Sequence, residues 1–402
     1  MKTCLIRCPS PFLINERVFP PLGLMAIGTS LKLHGHDVYI HDDSIDTIPM
    51  DFDCYGLGPT TPEYGYALDI KQSIRQNNPE ARIVIGGPYA TLNPQTCIED
   101  GFDCVVTGDG EPVLKEAFCG SANILNGGEN NSLDEYPTID RSVIDLSRYK
   151  YFLNDRIATT VMTSQGCPYK CAFCCKTYKT VRFRSVDNVI KEIRKLHFDF
   201  GYNAITFTED LFILKKDRVE AFCDCLKSLG IIWRCLVRAD VAVKHGSSFV
   251  RTMANSGCVS VGMGIESGSN KILSIVNKGE TAETIKRAIR MFKDVGIKVK
   301  GFFILGLPGE SSKTIEETEA FLDEMQLDDV DIKIYQPYPG TPIWDNKKSY
   351  DIQWHNNTNY KDMFYKGRPE EYYGNVYTSS LTANEIVEKW TDMESTYKTV
   401  WA

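Results

Sequence analysis

Short apolar runs alternate with amphipathic stretches along most of the chain, and the runs repeatedly end in Gly, Pro, Ser or Asp. Runs of four to eight residues bounded by such breakers read as buried strands, and longer stretches with apolar positions three and four apart read as helices. Over residues 1–120 the pattern predicts strands at Cys4–Arg7, Asp37–Ile40, Cys54–Gly58, Arg82–Ile85 and Asp103–Val106, with helices over Leu22–Leu33 and around Tyr66–Gln76. Strands separated by helical patterns imply βαβ units and a doubly wound parallel sheet. Residues 121–155 turn to Asn, Gly, Ser and Asp, the composition of an interdomain linker. Alternation resumes over 156–342, with strands at Ile157–Met162, Ala204–Thr208, Trp233–Val237, Val259–Met263, Val299–Leu305 and Asp331–Tyr335. Six strand–helix units are too few for a closed eight-fold barrel, so a partial (β/α)6 barrel is expected. Residues 343–402 form a C-terminal extension with one helical stretch, Ala383–Tyr397. Its aromatics Trp354, Tyr360, Phe364, Tyr365, Tyr372 and Tyr373 either pack on the barrel or line a substrate site.

Composition narrows the setting. A formal net charge of −8 supplies no basic excess to neutralise phosphates, so no nucleic-acid partner is expected. No apolar run nears the roughly 20 residues that span a bilayer. Arg7, Glu16 and Arg17 interrupt the N-terminal stretch, which therefore does not read as a signal peptide. A cytoplasmic protein without a membrane partner is expected, and there its 14 cysteines are reduced thiols or metal ligands and not a disulfide framework.

The spacing of three of them is distinctive. Cys167, Cys171 and Cys174 lie in a loop directly after the strand Ile157–Met162, four and three residues apart. Three thiolates so spaced can each bind one iron of a [4Fe–4S] cube and leave the fourth iron open to a substrate. A structural zinc site would need a fourth Cys or His at matching spacing; Cys175 is adjacent and His197 is distant. The other cysteines repeat no such pattern and read as small buried residues.

Here the chain resembles the radical S-adenosylmethionine (SAM) superfamily, in which Phe173 occupies the aromatic position before the last cysteine. The resemblance implies that Thr208, Glu209 and Asp210, ending the second barrel strand, meet the SAM amino group. It also implies that Arg238 meets the SAM carboxylate and that Glu266 and Ser267, within Gly264–Ser269, contact SAM. Leu305 and the segments Gly306–Glu310 and Pro337–Thr341 complete the expected ring of strand ends. Independently of the name, segments that end parallel strands collect at one carboxyl edge, where ligands bind in such sheets. The glycines among them also have the plainer reading of βα turns.

Four further segments precede the cysteines: Pro20-Pro21-Leu22-Gly23-Leu24, Gly58–Glu63 with Thr60 and Thr61, Gly86-Gly87-Pro88-Tyr89, and Thr107-Gly108-Asp109-Gly110-Glu111. In this order they resemble the Rossmann-like cobalamin-binding domain of class B radical SAM enzymes, and the resemblance implies cobalamin contacts there. The Asp-x-His-x-x-Gly signature that supplies a histidine to cobalt is absent, and Tyr89 stands where related sequences carry His. The resemblance then implies base-off cobalamin, with Tyr64 or a water on the lower face; a degenerate domain without corrinoid is the alternative. The expected activity is a C-methyltransferase using a [4Fe–4S] cluster, SAM and methylcobalamin, with a flavodoxin or ferredoxin as electron donor. The substrate is a protein or peptide residue or a small molecule. Ring closure or rearrangement without methyl transfer, and a non-catalytic iron–sulfur redox protein, stay open.

Overall fold

The computed structural model describes residues 1–355, apart from 12, 14 and 44, and residues 374–397. Two compact units are present. One comprises Met1–Lys150 with Thr177–Arg184; the other comprises Tyr151–Lys176 with the chain from Ser185 through the barrel and the last helix.

In the first unit, β1 (Lys2–Ile6), β2 (Asp37–His41), β3 (Cys54–Leu57), β4 (Arg82–Ile85), β5 (Cys104–Thr107) and β6 (Ile124–Asn126) form one parallel sheet of order β2-β1-β3-β4-β5-β6. The order reverses direction between β1 and β3, the switch point beyond which ligands bind in open α/β sheets. β3 is buried at every position, as a strand covered on both faces must be. Residues 121–150, expected as a linker, belong instead to this unit. β6 extends its sheet, and three short turns follow at Leu133–Glu135, Arg141–Val143 and Leu146–Arg148. Each is opened by a Ser132, Asp140 or Asp145 side chain accepting the backbone N–H two residues on. Capped turns use the same residue types as linkers, which is why composition misleads here.

Asp109 holds this unit's later chain. Its carboxylate is buried, accepts Arg182 Nη2 at 2.8 Å and the Asn130 N–H at 3.2 Å, and is met by Arg182 Nη1 and the Tyr136 hydroxyl. Arg182 also donates to the Asn130 carbonyl (3.2 Å) and lies over the Tyr178 ring (4.7 Å).

In the second unit, β7 (Tyr151–Leu153) pairs antiparallel with β8 (Arg156–Val161). β9 (Ala204–Phe207), β10 (Ile232–Val237), β11 (Cys258–Glu266), β12 (Lys298–Leu305) and β13 (Asp329–Ile334) then add in chain order, all parallel. Six parallel strands joined by helices, with β7 along the β8 edge and no closure onto β13, make the expected partial barrel. Burial alternates along β12 and β13, so Val299, Phe303, Leu305, Ile332 and Ile334 are buried while Lys300, Asp331 and Lys333 on the opposite face are half-exposed. The helix Ala383–Tyr397 docks on β13 through Trp390 Nε1, which donates to the Ile332 carbonyl at 3.0 Å. Trp354 stacks on Trp344 (5.4 Å between centroids) and takes the packing alternative; Tyr360, Phe364, Tyr365, Tyr372 and Tyr373 lie outside the described residues. No described helix is long and apolar enough to cross a membrane.

The turn after β12 closes on a buried carboxyl. Gly306 takes φ +78°, and Glu310 accepts the Gly306 N–H and, at 3.3 Å, the Leu307 N–H. Glu310 is fully buried, and burial pushes its carboxyl from 4.5 up to about 8.

Two outcomes follow from these buried charges. Asp109→Asn leaves the Arg182 guanidinium buried without its counter-charge, so urea unfolding followed by circular dichroism is expected to show a loss of about 3–5 kcal/mol; a loss near zero contradicts the assignment. Glu310 retains in the fold a proton that the unfolded chain releases between 4.5 and about 8, so its contribution to stability falls as pH rises through that window. The slope approaches roughly 1.4 kcal/mol per pH unit for a full proton. Melting temperatures recorded between pH 5 and 8 should therefore decline less steeply in Glu310→Gln than in the wild type, and parallel curves refute the buried proton.

Candidate functional site

The chain from Cys167 to Cys174 follows β8 without helix or strand of its own. It is pinned from outside. The buried Ala172 donates its N–H to the Val276 carbonyl (2.8 Å) and accepts the Ile343 N–H (3.1 Å). Asn277 Nδ2 donates to the Lys170 carbonyl at 2.8 Å, and Cys175 Sγ reaches the Pro339 carbonyl at 3.7 Å. Within the loop, the Cys174 N–H returns to the Cys171 carbonyl at 3.2 Å, and Phe173 is half-buried.

Cys171 and Cys174 are not activated thiols. Burial raises Cys171 even though Lys278 and Arg238 pull it down. The Cys174 thiol is pushed up to about 12, first by desolvation and then by the Asp210 carboxylate. A nucleophilic cysteine needs the opposite shift, whereas a metal deprotonates its ligands outright. Separate thiols on a common loop suit a cluster in which each takes its own iron.

Beside the loop lies a buried charge network. Arg238 follows β10; its Nε donates to Asp240 Oδ1 (3.1 Å), and its Nη2 meets the Lys278 carbonyl (2.8 Å) and Glu280 Oε2 (3.2 Å). Lys278 Nζ bonds Glu266 Oε1 at 2.9 Å and approaches Glu280 at 3.6 Å. Burial alone lowers Lys278, but the Glu266 and Glu280 carboxylates outweigh it and hold its ammonium above the ordinary value. Glu266 ends β11 in a register shift at φ +68°, a strained setting for a residue with a Cβ, and its salt bridge helps to hold it there. Arg238 and Glu266, expected on SAM, are thus engaged mainly with protein groups. Lys278, Glu280, Asp240 and Asn277 were not singled out from the sequence; Asn277-Lys278-Gly279-Glu280, a charged turn with positive φ at Asn277 and Gly279, is the only signal they leave.

The other expected SAM residues separate by environment. Thr208 and Asp210 are exposed at the end of β9. Glu209 between them is buried. Its Oε1 is met by the Thr163 hydroxyl, its Oε2 has no hydrogen-bond partner, and burial pushes its carboxyl up to about 7. A buried carboxylate oxygen left open is the acceptor that an ammonium group would need. Ser267 is used internally: its hydroxyl bonds Thr318 Oγ1 (3.2 Å) and accepts the Ser269 N–H (3.1 Å). Leu305 is core, on the buried face of β12.

In the first unit, the carboxyl edge is floored by glycine. A Cβ added at Gly23 would meet nothing within 4 Å, and one at Gly58 only Leu24 Cδ2 at 3.9 Å, while Pro21 and Leu22 are half-buried at the start of the helix Leu22–Leu33. Such side-chain-free space suits a large flat ligand. Gly86 packs near Val106, and Gly87, at φ +78°, lies against the Gly58 backbone. Gly108 serves the protein itself, since a Cβ there would come within 2.4 Å of the Gly128 carbonyl oxygen. Gly110 faces Ile27, the Thr107 hydroxyl donates to the Leu125 carbonyl, and burial raises the Glu111 carboxyl. The Thr60 N–H is capped by Glu63 (2.8 Å), and Thr61 is buried. Tyr64 departs from expectation. It is fully buried, stacked on Tyr89 (3.8 Å between centroids), and its hydroxyl donates to Asp100 Oδ2 at 2.6 Å. Both tyrosines belong to the apolar core between sheet and helix, so Tyr64 does not offer its hydroxyl to the edge.

Residues 161–322 match the radical SAM superfamily, and residues 16–118 match the B12 binding domain. An uncharacterized methyltransferase of Pyrococcus horikoshii is 29% identical over 386 residues, covering 86% of this chain and 83% of that protein. The anaerobic magnesium-protoporphyrin IX monomethyl ester cyclase of Rubrivivax gelatinosus is 27% identical over 369 residues, 81% of this chain and 66% of its own length. Two solved structures share the fold. The radical SAM methyltransferase TsrM of Kitasatospora setae, with cobalamin and a [4Fe–4S] cluster bound, has TM-score 0.67 at 16% identity over 89% of this chain and 81% of that one. The radical enzyme OxsB, with aqua-cobalamin bound, has TM-score 0.71 at 18% identity over 98% of this chain and 67% of that one. The chain thus carries a B12-binding domain followed by a radical SAM domain, and the cofactors these domains imply are cobalamin, a [4Fe–4S] cluster and SAM.

Proposed function

We propose that this enzyme is a C-methyltransferase acting on an unactivated carbon of a protein or peptide residue or of a small biosynthetic intermediate. The observation that carries the reading is the union, in one chain, of a B12-binding unit with a thiol loop and the half-open carboxyl of Glu209. The methyltransferase name of the Pyrococcus horikoshii relative supports it. When bound, the three cofactors supply a 5′-deoxyadenosyl radical for hydrogen abstraction and a methyl group for delivery.

The protein's own part is positioning. Cys167, Cys171 and Cys174 would hold the cluster, on the loop that Ala172 pins to the barrel. Glu209 Oε2 would accept the SAM ammonium, with Thr163 fixing the other carboxylate oxygen and Thr208 and Asp210 flanking it in sequence. Gly23 and Gly58 would leave room for a corrinoid beside them. An electron donor such as flavodoxin or ferredoxin serves the cluster. A second reading, ring closure without methyl transfer, is favoured by the cyclase of Rubrivivax gelatinosus.

Anaerobic incubation with SAM, methylcobalamin, reductant and candidate substrates, followed by mass spectrometry, separates the readings. Methylation predicts deoxyadenosine together with a product heavier by about 14 Da, the exchange of H for CH₃. Deoxyadenosine with a product lacking that increment favours ring closure. A protein that makes no deoxyadenosine at all is not the proposed enzyme. Cys171→Ala should lose both iron and deoxyadenosine formation.

A further inference from the structure

Arg238 meets the cysteine loop in two ways at once. Its guanidinium carbon lies 3.6 Å from the centroid of the Tyr169 ring, inside the loop, and its Nη1 points at Cys171 Sγ at 3.9 Å, within reach of an N–H···S contact to a large sulfur. The remaining nitrogens are fixed on the far side by Asp240, Glu280 and the Lys278 carbonyl. The guanidinium is planar and rigid, so anchoring Nε and Nη2 and stacking one face on Tyr169 settles where Nη1 points. A lysine ammonium could satisfy one of these partners but could not hold them all in one plane. The side chain is 8% exposed, so little water competes for the sulfur.

The surrounding charges are nearly balanced. Arg238 and Lys278 face Glu266 and Glu280, which are almost wholly buried, and the more exposed Asp240. A cation already held in place by these carboxylates turns one N–H towards Cys171. Reduction of an iron–sulfur cluster adds negative charge to its sulfurs, which strengthens a bond from a cationic donor, so such bonds set reduction potentials.

We infer that Arg238 is a positioning residue for the cluster: it clamps the cysteine loop through Tyr169 and donates to the Cys171 sulfur, raising the cluster's reduction potential. The inference rests on Cys171 being a cluster ligand and replaces the SAM-carboxylate contact expected for Arg238.

The test uses the full chain, reconstituted with iron and sulfide, without SAM. Iron is counted and the midpoint potential is measured by potentiometric EPR in the wild type, Arg238→Lys and Tyr169→Leu. Arg238→Lys keeps a cation and should bind the same iron, yet lower the ratio of reduced to oxidised cluster at fixed potential by about tenfold, which is 59 mV for a one-electron couple. Tyr169→Leu should shift it the same way by less. In wild-type protein labelled with ¹⁵N-arginine, pulsed EPR of the reduced cluster should detect a coupled ¹⁵N nucleus, a readout that needs no variant to fold. Full iron with no ¹⁵N coupling and an unchanged potential in Arg238→Lys overturns the inference and leaves the cysteine assignment standing. A wild type that binds no iron overturns the cysteine assignment, and the inference with it.

Discussion

The cysteine loop borrows its shape. It contains no helix or strand, and fixing each of its residues costs about 1–2 kcal/mol of backbone entropy. What offsets that cost is a pair of hydrogen bonds at Ala172, one to the Val276 carbonyl and one from the Ile343 N–H, with Asn277 closing on Lys170. Both anchors come from chain that follows a barrel strand, Val276 after β11 and Ile343 after β13. They can meet a loop that follows β8 only because these strands are parallel and release their chains at one edge. The partial barrel is therefore the frame that gives three thiols a common geometry.

Buried charge is the second constraint, and the site handles it in two ways. Around Arg238 and Lys278 the charges are paired, so each buried carboxylate faces a cation, though burial still raises the Glu280 carboxyl. At Glu209 and Glu310 pairing is incomplete and the carboxyls are pushed up, to about 7 and about 8. The two differ in use. Glu310 caps the turn after β12 with its acceptor oxygen, whereas Glu209 keeps one oxygen open beside the exposed Thr208 and Asp210. Held rigidly in a low-dielectric setting, an open acceptor pays little reorganisation when a cation arrives.

Much of this was legible from residue pattern alone. Hydrophobic periodicity located all six barrel strands, because buried parallel strands are short unbroken apolar runs, and the cysteine spacing identified the loop. Composition failed where two structures share one vocabulary: Ser132, Asp140 and Asp145 look like linker residues but cap turns built into the first unit. Single residues were harder. Ser267, Leu305 and Tyr64 stand in suggestive segments, yet the first two bond or pack internally and the third turns its hydroxyl to Asp100. Which way a side chain faces depends on register and on partners distant in sequence, such as Thr318 for Ser267. For the same reason Lys278 and Glu280, whose role comes from meeting Arg238 in space, left almost no trace in the sequence.

Three cysteine ligands should leave one iron of a cube open to SAM. Mössbauer spectroscopy of ⁵⁷Fe-reconstituted protein, with and without SAM, tests it most directly. The expected result is a [4Fe–4S] signal in which one iron in four changes its isomer shift when SAM is added, while the three thiolate-bound irons keep theirs. A cluster whose irons all ignore SAM, or a protein that assembles no four-iron cluster, would contradict it.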